Sequence, residues 1–289
     1  MEFLHTLIEN PVLRCIAALI AAPTVGLILS GFDRKFTARL QGRVGPSFFQ
    51  PMYDILKLFG KQPVMVHKVQ IIYAIMHLFF MILTMILLVL GQDLLMILFC
   101  QAFSSLCLVI ASMSVRSPYS WIGSQRKILQ MLAYEPTLVL MILAVKLQDN
   151  SFLAGKVLEN RQPLIYSMPL LFLAFLCVIS IEFEKSPFDV ASSHHAHQEI
   201  VKGTMLEFSG PFLGIIETAH AYEMAIFFGL MMAFWHTSLL MGFLLASAGF
   251  LTVLIADNVC ARMTSFWMVK FMWTVPLTMS LANLIWLWR

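Results

Sequence analysis

The chain has 289 residues, of which 60% are hydrophobic and 12% charged, and its mean hydropathy is +0.82. Soluble globular chains carry roughly 45–50% apolar and about 25% charged residues, so this composition excludes them. A net charge of +3 points to no nucleic-acid partner, and five cysteines scattered singly through apolar runs exclude a recognisable zinc or iron–sulfur spacing.

Repeated apolar runs near 20 residues predict an all-α polytopic membrane protein with about eight transmembrane helices. A β-barrel would show short alternating segments instead. The first span is expected over residues 11–32; it follows an acidic start and is long enough to cross, so it is read as a span and not as a cleavable signal. Residues 33–62, DRKFTARLQGRVGPSFFQPMYDILKLFGKQ, are too charged to cross. Their second half, about 46–60, is amphipathic at helical spacing. Phe48, Met52, Ile55, Leu56 and Phe59 share one face, and Gln50, Asp54, Lys57 and Lys61 the other, which predicts a helix lying on the membrane surface. Arg34, Lys35, Arg39, Arg43, Asp54 and Lys57 are the candidate surface for lipid headgroups or an acidic partner.

Spans two and three are expected at 69–90 and 94–115, joined by a tight Gly-Gln-Asp turn. The fourth, 127–147, carries Glu135 roughly 12 Å beyond Lys127 at the helical rise. Pro136 follows and frees the carbonyl of Leu132, leaving a polar break that a water could fill. The fifth to eighth spans fall at 164–181, 211–234, 239–255 and 266–288. Trp286 and Trp288 close the last one, where an interfacial belt is expected. No repeat or linker is evident, so residues 1–289 are read as one integral membrane domain. Fourteen of the nineteen basic residues lie in or beside the loops after spans one, three, five and seven. The positive-inside rule then puts those loops in the cytoplasm and both termini outside.

Residues 182–223 hold seven of the sixteen acids and four of the eight histidines. Glu182, Glu184, Asp189, Glu199 and Glu207 lie in the loop. Glu217, His220 and Glu223 follow at i, i+3 and i+6 of the sixth span, roughly 9 to 18 Å into the membrane. Carboxylates are costly there, which suggests a proton ladder, with a structural polar seam as the alternative. His194, His195 and His197 invite a metal reading, but adjacent loop histidines seldom converge on one ion and no distant ligand matches. A proton antenna or a docking point fits them better. No catalytic, cofactor-binding or metal-ligating set is expected in this chain. Nucleotide-binding and serine-hydrolase patterns are absent, and Ser124-Gln125-Arg126-Lys127 matches SxxK by spacing only.

Two stretches resemble the quinone-site membrane subunit of complex I, the proton-pumping NADH:quinone oxidoreductase. The first carries Arg34, Arg39, Gln41, Arg43, Gly45, Pro46, Gln50, Pro51, Asp54, Lys57 and Leu58. The second carries Glu182, Pro187, Phe188, Asp189, Gln198, Glu199, Gly203, Glu207, Ser209 and Gly210, spaced like that family's acidic loop. Glu135 after a tyrosine fits as well. Quinone-reducing members have more acids where this chain reads VASSHHAHQE, and a different pattern from ETAHAYE. The histidine version is similar to the homologous subunit of Ech-type energy-converting [NiFe] hydrogenases.

That resemblance implies a membrane anchor and coupling subunit of a ferredoxin-linked complex. Soluble hydrogenase large and small subunits and Fe–S subunits would dock on its cytoplasmic face, and the clusters and [NiFe] centre would reside in them. An antiporter-like membrane subunit would lie beside it in a prokaryotic cytoplasmic membrane. Charge would pass from the loop acids to Glu217, His220 and Glu223, then toward Glu135. The alternatives are a quinone-binding complex I subunit, a formate hydrogenlyase or sulfur-reducing relative, and a purely structural scaffold. An independent transporter is disfavoured, since paired broken-helix repeats are absent.

Overall fold

The computed structural model describes residues 10–64, 67–159, 162–189, 191 and 202–288. His194, His195, His197 and Glu199 lie outside the described residues. The described chain is an all-α polytopic membrane protein. Its helices are α1 (Pro11–Leu40), α2 (Gln50–Phe59), α3 (Lys68–Val89), α4 (Leu94–Met113), α5 (Pro118–Asp149), α6 (Ala154–Glu159), α7 (Leu164–Ser167), α8 (Pro169–Glu182), α9 (Pro211–Ala233), α10 (Leu239–Val259) and α11 (Ser265–Trp288). In lipid each backbone polar group must be satisfied within the protein, which helices do and isolated strands cannot.

Six helices are long and apolar enough to cross a membrane: α1, α3, α4, α5, α10 and α11. α9 has the length, 23 residues, but interrupts its apolar surface with Glu217, His220 and Glu223. α8 has only 14 residues, about 21 Å, against a hydrocarbon core of about 30 Å. It can be short because other helices surround it; nine of its residues are buried, so its ends meet protein instead of lipid. The uninterrupted span expected at 164–181 is broken at Met168, where Pro169 lacks an N–H and disfavours helical geometry at the residue before it.

Two expected boundaries shift. α1 runs eight residues beyond residue 32, because its charged end is neutralised in place. Asp33 meets Lys185 at 2.6 Å and Arg34 meets Asp54 at 2.9 Å. The helix stops only before Gly42, which takes φ 70°. The surface helix starts at Gln50, not near 46, since Pro46 cannot continue a ladder and Pro51 suits a first helical turn. Phe49, Met52, Tyr53, Leu56 and Phe59 of α2 are exposed and form its apolar face.

α3 pairs with α4 along its length, α5 with α11, and α9 with α1 and α3. The main core lies among α5, α8, α9, α10 and α11, around Phe175, Phe183, Phe227 and Phe250. Two close approaches need glycine. A Cβ on Gly26 of α1 would sit 1.9 Å from the Ala221 carbonyl oxygen of α9, and one on Gly31 would sit 1.9 Å from that of Phe48. α1 therefore touches α9 backbone to backbone and receives the segment leading into α2.

Candidate functional site

In a membrane helix the polar stripe faces inward, because the outside is hydrocarbon. α5 buries Ser120, Ser124, Lys127, Gln130, Tyr134 and Thr137 on one face. α3 buries Gln70, His77 and Thr84, and α4 buries Gln101, Ser104 and Ser105. These stripes meet the last residue of α8 and the first half of α9, and the meeting place is a compact charge cluster.

Lys127 Nζ lies 3.5 Å from Glu182 Oε2, with the lysine side chain 6% exposed and the glutamate 0%. Glu223 Oε1 accepts from Gln101 Nε2 at 3.2 Å, and its Oε2 is 3.0 Å from His220 Nδ1. His77 is anchored by the Ser104 hydroxyl at 2.8 Å and the Ser104 carbonyl at 2.9 Å. A cavity of about 20 Å³ is lined by His77, Lys127, Glu182, Glu184, His220 and Glu223. That is room for about one water. Both Glu182 oxygens, the Tyr134 hydroxyl and Gln101 Oε1 are buried without a protein hydrogen bond, although Tyr134 acts on Glu182 electrostatically. Buried polar atoms of this kind are ordinarily satisfied, here most simply through water. A carboxylate, an ammonium and an imidazole around one water-sized space can exchange a proton by small hydrogen-bond rearrangements.

A second, larger cavity of about 570 Å³ opens beneath α2. α1 contributes Gly26, Leu27, Ser30 and Arg34; α2 contributes Asp54, Ile55 and Leu58; α9 contributes Leu213, Glu217, His220 and Met224. His220 lines both cavities and is the bridge between them.

The expected ladder is thus divided. His220 and Glu223 join Glu182 and Glu184 at the small cavity, while Glu217 faces the large one. Asp189 is bound into a latch: Arg126 donates to it at 3.1 Å, Ser265 donates to its other oxygen, and Gln130 donates to its backbone carbonyl at 2.6 Å. Glu207 is half-buried after the short 3-10 turn Gly203–Met205 and makes no ion pair among the described residues. Glu135 is half-buried on the outward side of α5, between exposed Leu132 and Val139 at i−3 and i+4. Its neighbour Tyr134, 1% exposed, is the one that turns inward. The Leu132 carbonyl freed by Pro136 is filled by protein, accepting from Trp273 Nε1 at 3.1 Å.

On the same face Lys35 stacks over Phe48 at 4.0 Å, Arg39 is exposed, and Arg43 donates to Gln41 at 3.0 Å. Lys57 is exposed without a salt bridge among the described residues. Outside the spans, Lys185 lies between Asp33 at 2.6 Å and Asp257 at 3.4 Å. Burial alone would lower its pKa, but the two aspartates more than offset that and hold it above the ordinary lysine range. Among the described residues, no three His, Cys, Asp or Glu side chains are grouped to hold a metal ion.

Sequence reasoning missed Lys127, His77 and Gln101. Their signal was present as polar residues recurring every three or four positions in α5 and every seven in α3, a buried face in a lipid-solvated helix.

The model of the family described as NADH dehydrogenase matches residues 13–288. A membrane component of the NADH-quinone oxidoreductase of Carboxydothermus hydrogenoformans is 28% identical over 205 residues, covering 64% of this chain and 58% of that protein. Hydrogenase-4 component C of Escherichia coli K12 is 26% identical over 291 residues, 90% of each chain. The fold is similar to a chain of the membrane-bound sulfane sulfur reductase, an archaeal respiratory membrane complex. The TM-score is 0.84, with 28% identity over 96% of this chain and 99% of that one.

Proposed function

The chain belongs to the NADH dehydrogenase family, and on that premise we propose that it anchors and couples a ferredoxin-linked energy-converting [NiFe] hydrogenase in a prokaryotic cytoplasmic membrane. The coarser role, a membrane subunit of an oxidoreductase complex, is common to its named relatives. In the proposed complex the α2 face looks into the cytoplasm and carries the soluble hydrogenase and Fe–S subunits, which hold the clusters and the [NiFe] centre. An antiporter-like subunit lies beside it in the bilayer.

The observation that carries this reading is the Lys127–Glu182–Glu223–His220 cluster. It is buried, charged and reached from the α2 face through His220. A change of charge in a docked module reorders protons among these groups, since their field is little screened inside the protein. Glu135, one residue from inward-facing Tyr134 and on the outward side of α5, is where a neighbouring subunit takes up the change. Vesicles containing the purified complex test this. Reduced ferredoxin should evolve H2 and drive proton or sodium uptake together, without added quinone. Activity that requires quinone would replace this reading with a second one, a quinone-binding subunit, which the apolar walls of the 570 Å³ cavity favour.

A further inference from the structure

The cavity beneath α2 is lined by five cationic side chains, Arg34, Arg43, Lys57, Lys61 and Lys202, and two carboxylates, Asp54 and Glu217. Asp54 is already engaged by Arg34 at 2.9 Å and by Gln50 at 3.0 Å. Arg43, Lys57, Lys61 and Lys202 make no salt bridge among the described residues and are exposed. The charge sits at one end. From Arg34 the α1 wall descends eight residues, about 12 Å, to Gly26. There the backbone contact with Ala221 closes the floor. Between rim and floor the walls include Leu27, Ile55, Leu58, Leu213 and Met224.

A charged rim over an apolar shaft specifies an amphiphile. We propose that this cavity binds an anionic phospholipid of the surrounding bilayer, its phosphate at the Lys57, Lys61 and Lys202 rim and one acyl chain between α1 and α9. The exposed apolar face of α2 puts these lysines at headgroup level. Basic pockets between membrane helices take such headgroups, and about 570 Å³ lies within the ordinary range for a small-molecule site. An acidic protein loop is disfavoured, because its backbone polar groups would need partners along the apolar shaft. Free phosphate would use the rim alone. Glu217 lies on α9 beside His220, one turn along the helix, and leaves the excess positive charge in place. Lipid binding here is independent of which redox module docks.

The test uses the purified complex, delipidated in neutral detergent, and follows its thermal stability as phosphatidylglycerol, phosphatidylcholine, inorganic phosphate or a quinone is added. Phosphatidylglycerol should stabilise at lower concentration than phosphatidylcholine. Lys61→Gln/Lys202→Gln should weaken that effect about thirtyfold, at roughly fivefold per lysine, while Lys61→Arg/Lys202→Arg retains it. Leu27→Trp, which fills the shaft, should abolish lipid stabilisation and keep all four rim cations. Equal effects of the two lipids, full replacement of the effect by phosphate, stabilisation by quinone alone, or an unchanged response in both Lys61→Gln/Lys202→Gln and Leu27→Trp would each overturn the proposal. The lipid comparison needs no variant, so a substitution that fails to fold does not stall it.

Discussion

The two cavities share His220, yet they treat charge in opposite ways. Around the small one, Lys127, Glu182 and Glu223 are almost fully buried, and each charge has an opposite charge or a hydrogen bond beside it. Around the large one, four cations are exposed and make no salt bridge among the described residues. A buried charge that loses its partner costs several kcal/mol, whereas an exposed one costs almost nothing. The first region is therefore fixed by the fold and suited to storing and passing charge. The second is left for something outside the chain.

The largest expected effect follows from breaking the buried pair. Lys127→Met leaves Glu182 uncompensated and should destabilise the protein by about 3–5 kcal/mol. Thermal unfolding of the purified complex measures it, and an unchanged midpoint would remove the pair from the account. Replacing both partners, Lys127→Met with Glu182→Leu, should recover most of that loss without restoring coupling.

Next comes Glu223→Gln, which keeps the shape and the Gln101 contact but loses the carboxylate facing His220. Ion uptake in vesicles should fall by about a hundredfold, the scale of a lost proton-transfer group, while H2 evolution by the docked module persists. Full uptake would take Glu223 off the path. Glu217→Gln, on the open cavity, should change uptake only a few-fold; an effect equal to that of Glu223→Gln would erase the distinction between the regions.

A smaller effect is expected at Trp273→Phe, which removes the donor to the Leu132 carbonyl. It should cost about 1 kcal/mol, read from the unfolding midpoint. Smallest is Arg34→Gln. Its pair with Asp54 is 40% and 42% exposed, so the change should be under about 1 kcal/mol and vanish at high salt. The Lys185 triad differs again. A raised lysine pKa gives stability that is complete below the ordinary value of about 10.4 and is lost as pH rises through the higher folded value. Its contribution should stay flat from neutral pH to about pH 10, as pH-dependent melting of wild type against Lys185→Met would show.

Much of the fold was legible because lipid imposes it. Apolar length revealed the helices, and the Gly45-Pro46 step with alternating faces revealed α2. Glu182, His220 and Glu223 were legible too, since an acid near the membrane is conspicuous. Lys127 was not, because at the edge of an apolar run it resembles an ordinary flanking charge. Glu135 stood out for the same reason as Glu223, yet helical phase turns Tyr134 inward in its place.

By itself the sequence determined that this protein crosses a membrane as helices, that one surface helix flanks them, and which segment concentrates acid and histidine. Hydropathy and helical period suffice for that, being properties of contiguous residues. Only the tertiary structure decided which charges meet. Lys127 reaches Glu182 across 55 positions and Gln101 reaches Glu223 across 122, and whether a charge is stored or left open depends on that pairing and on how far water is excluded.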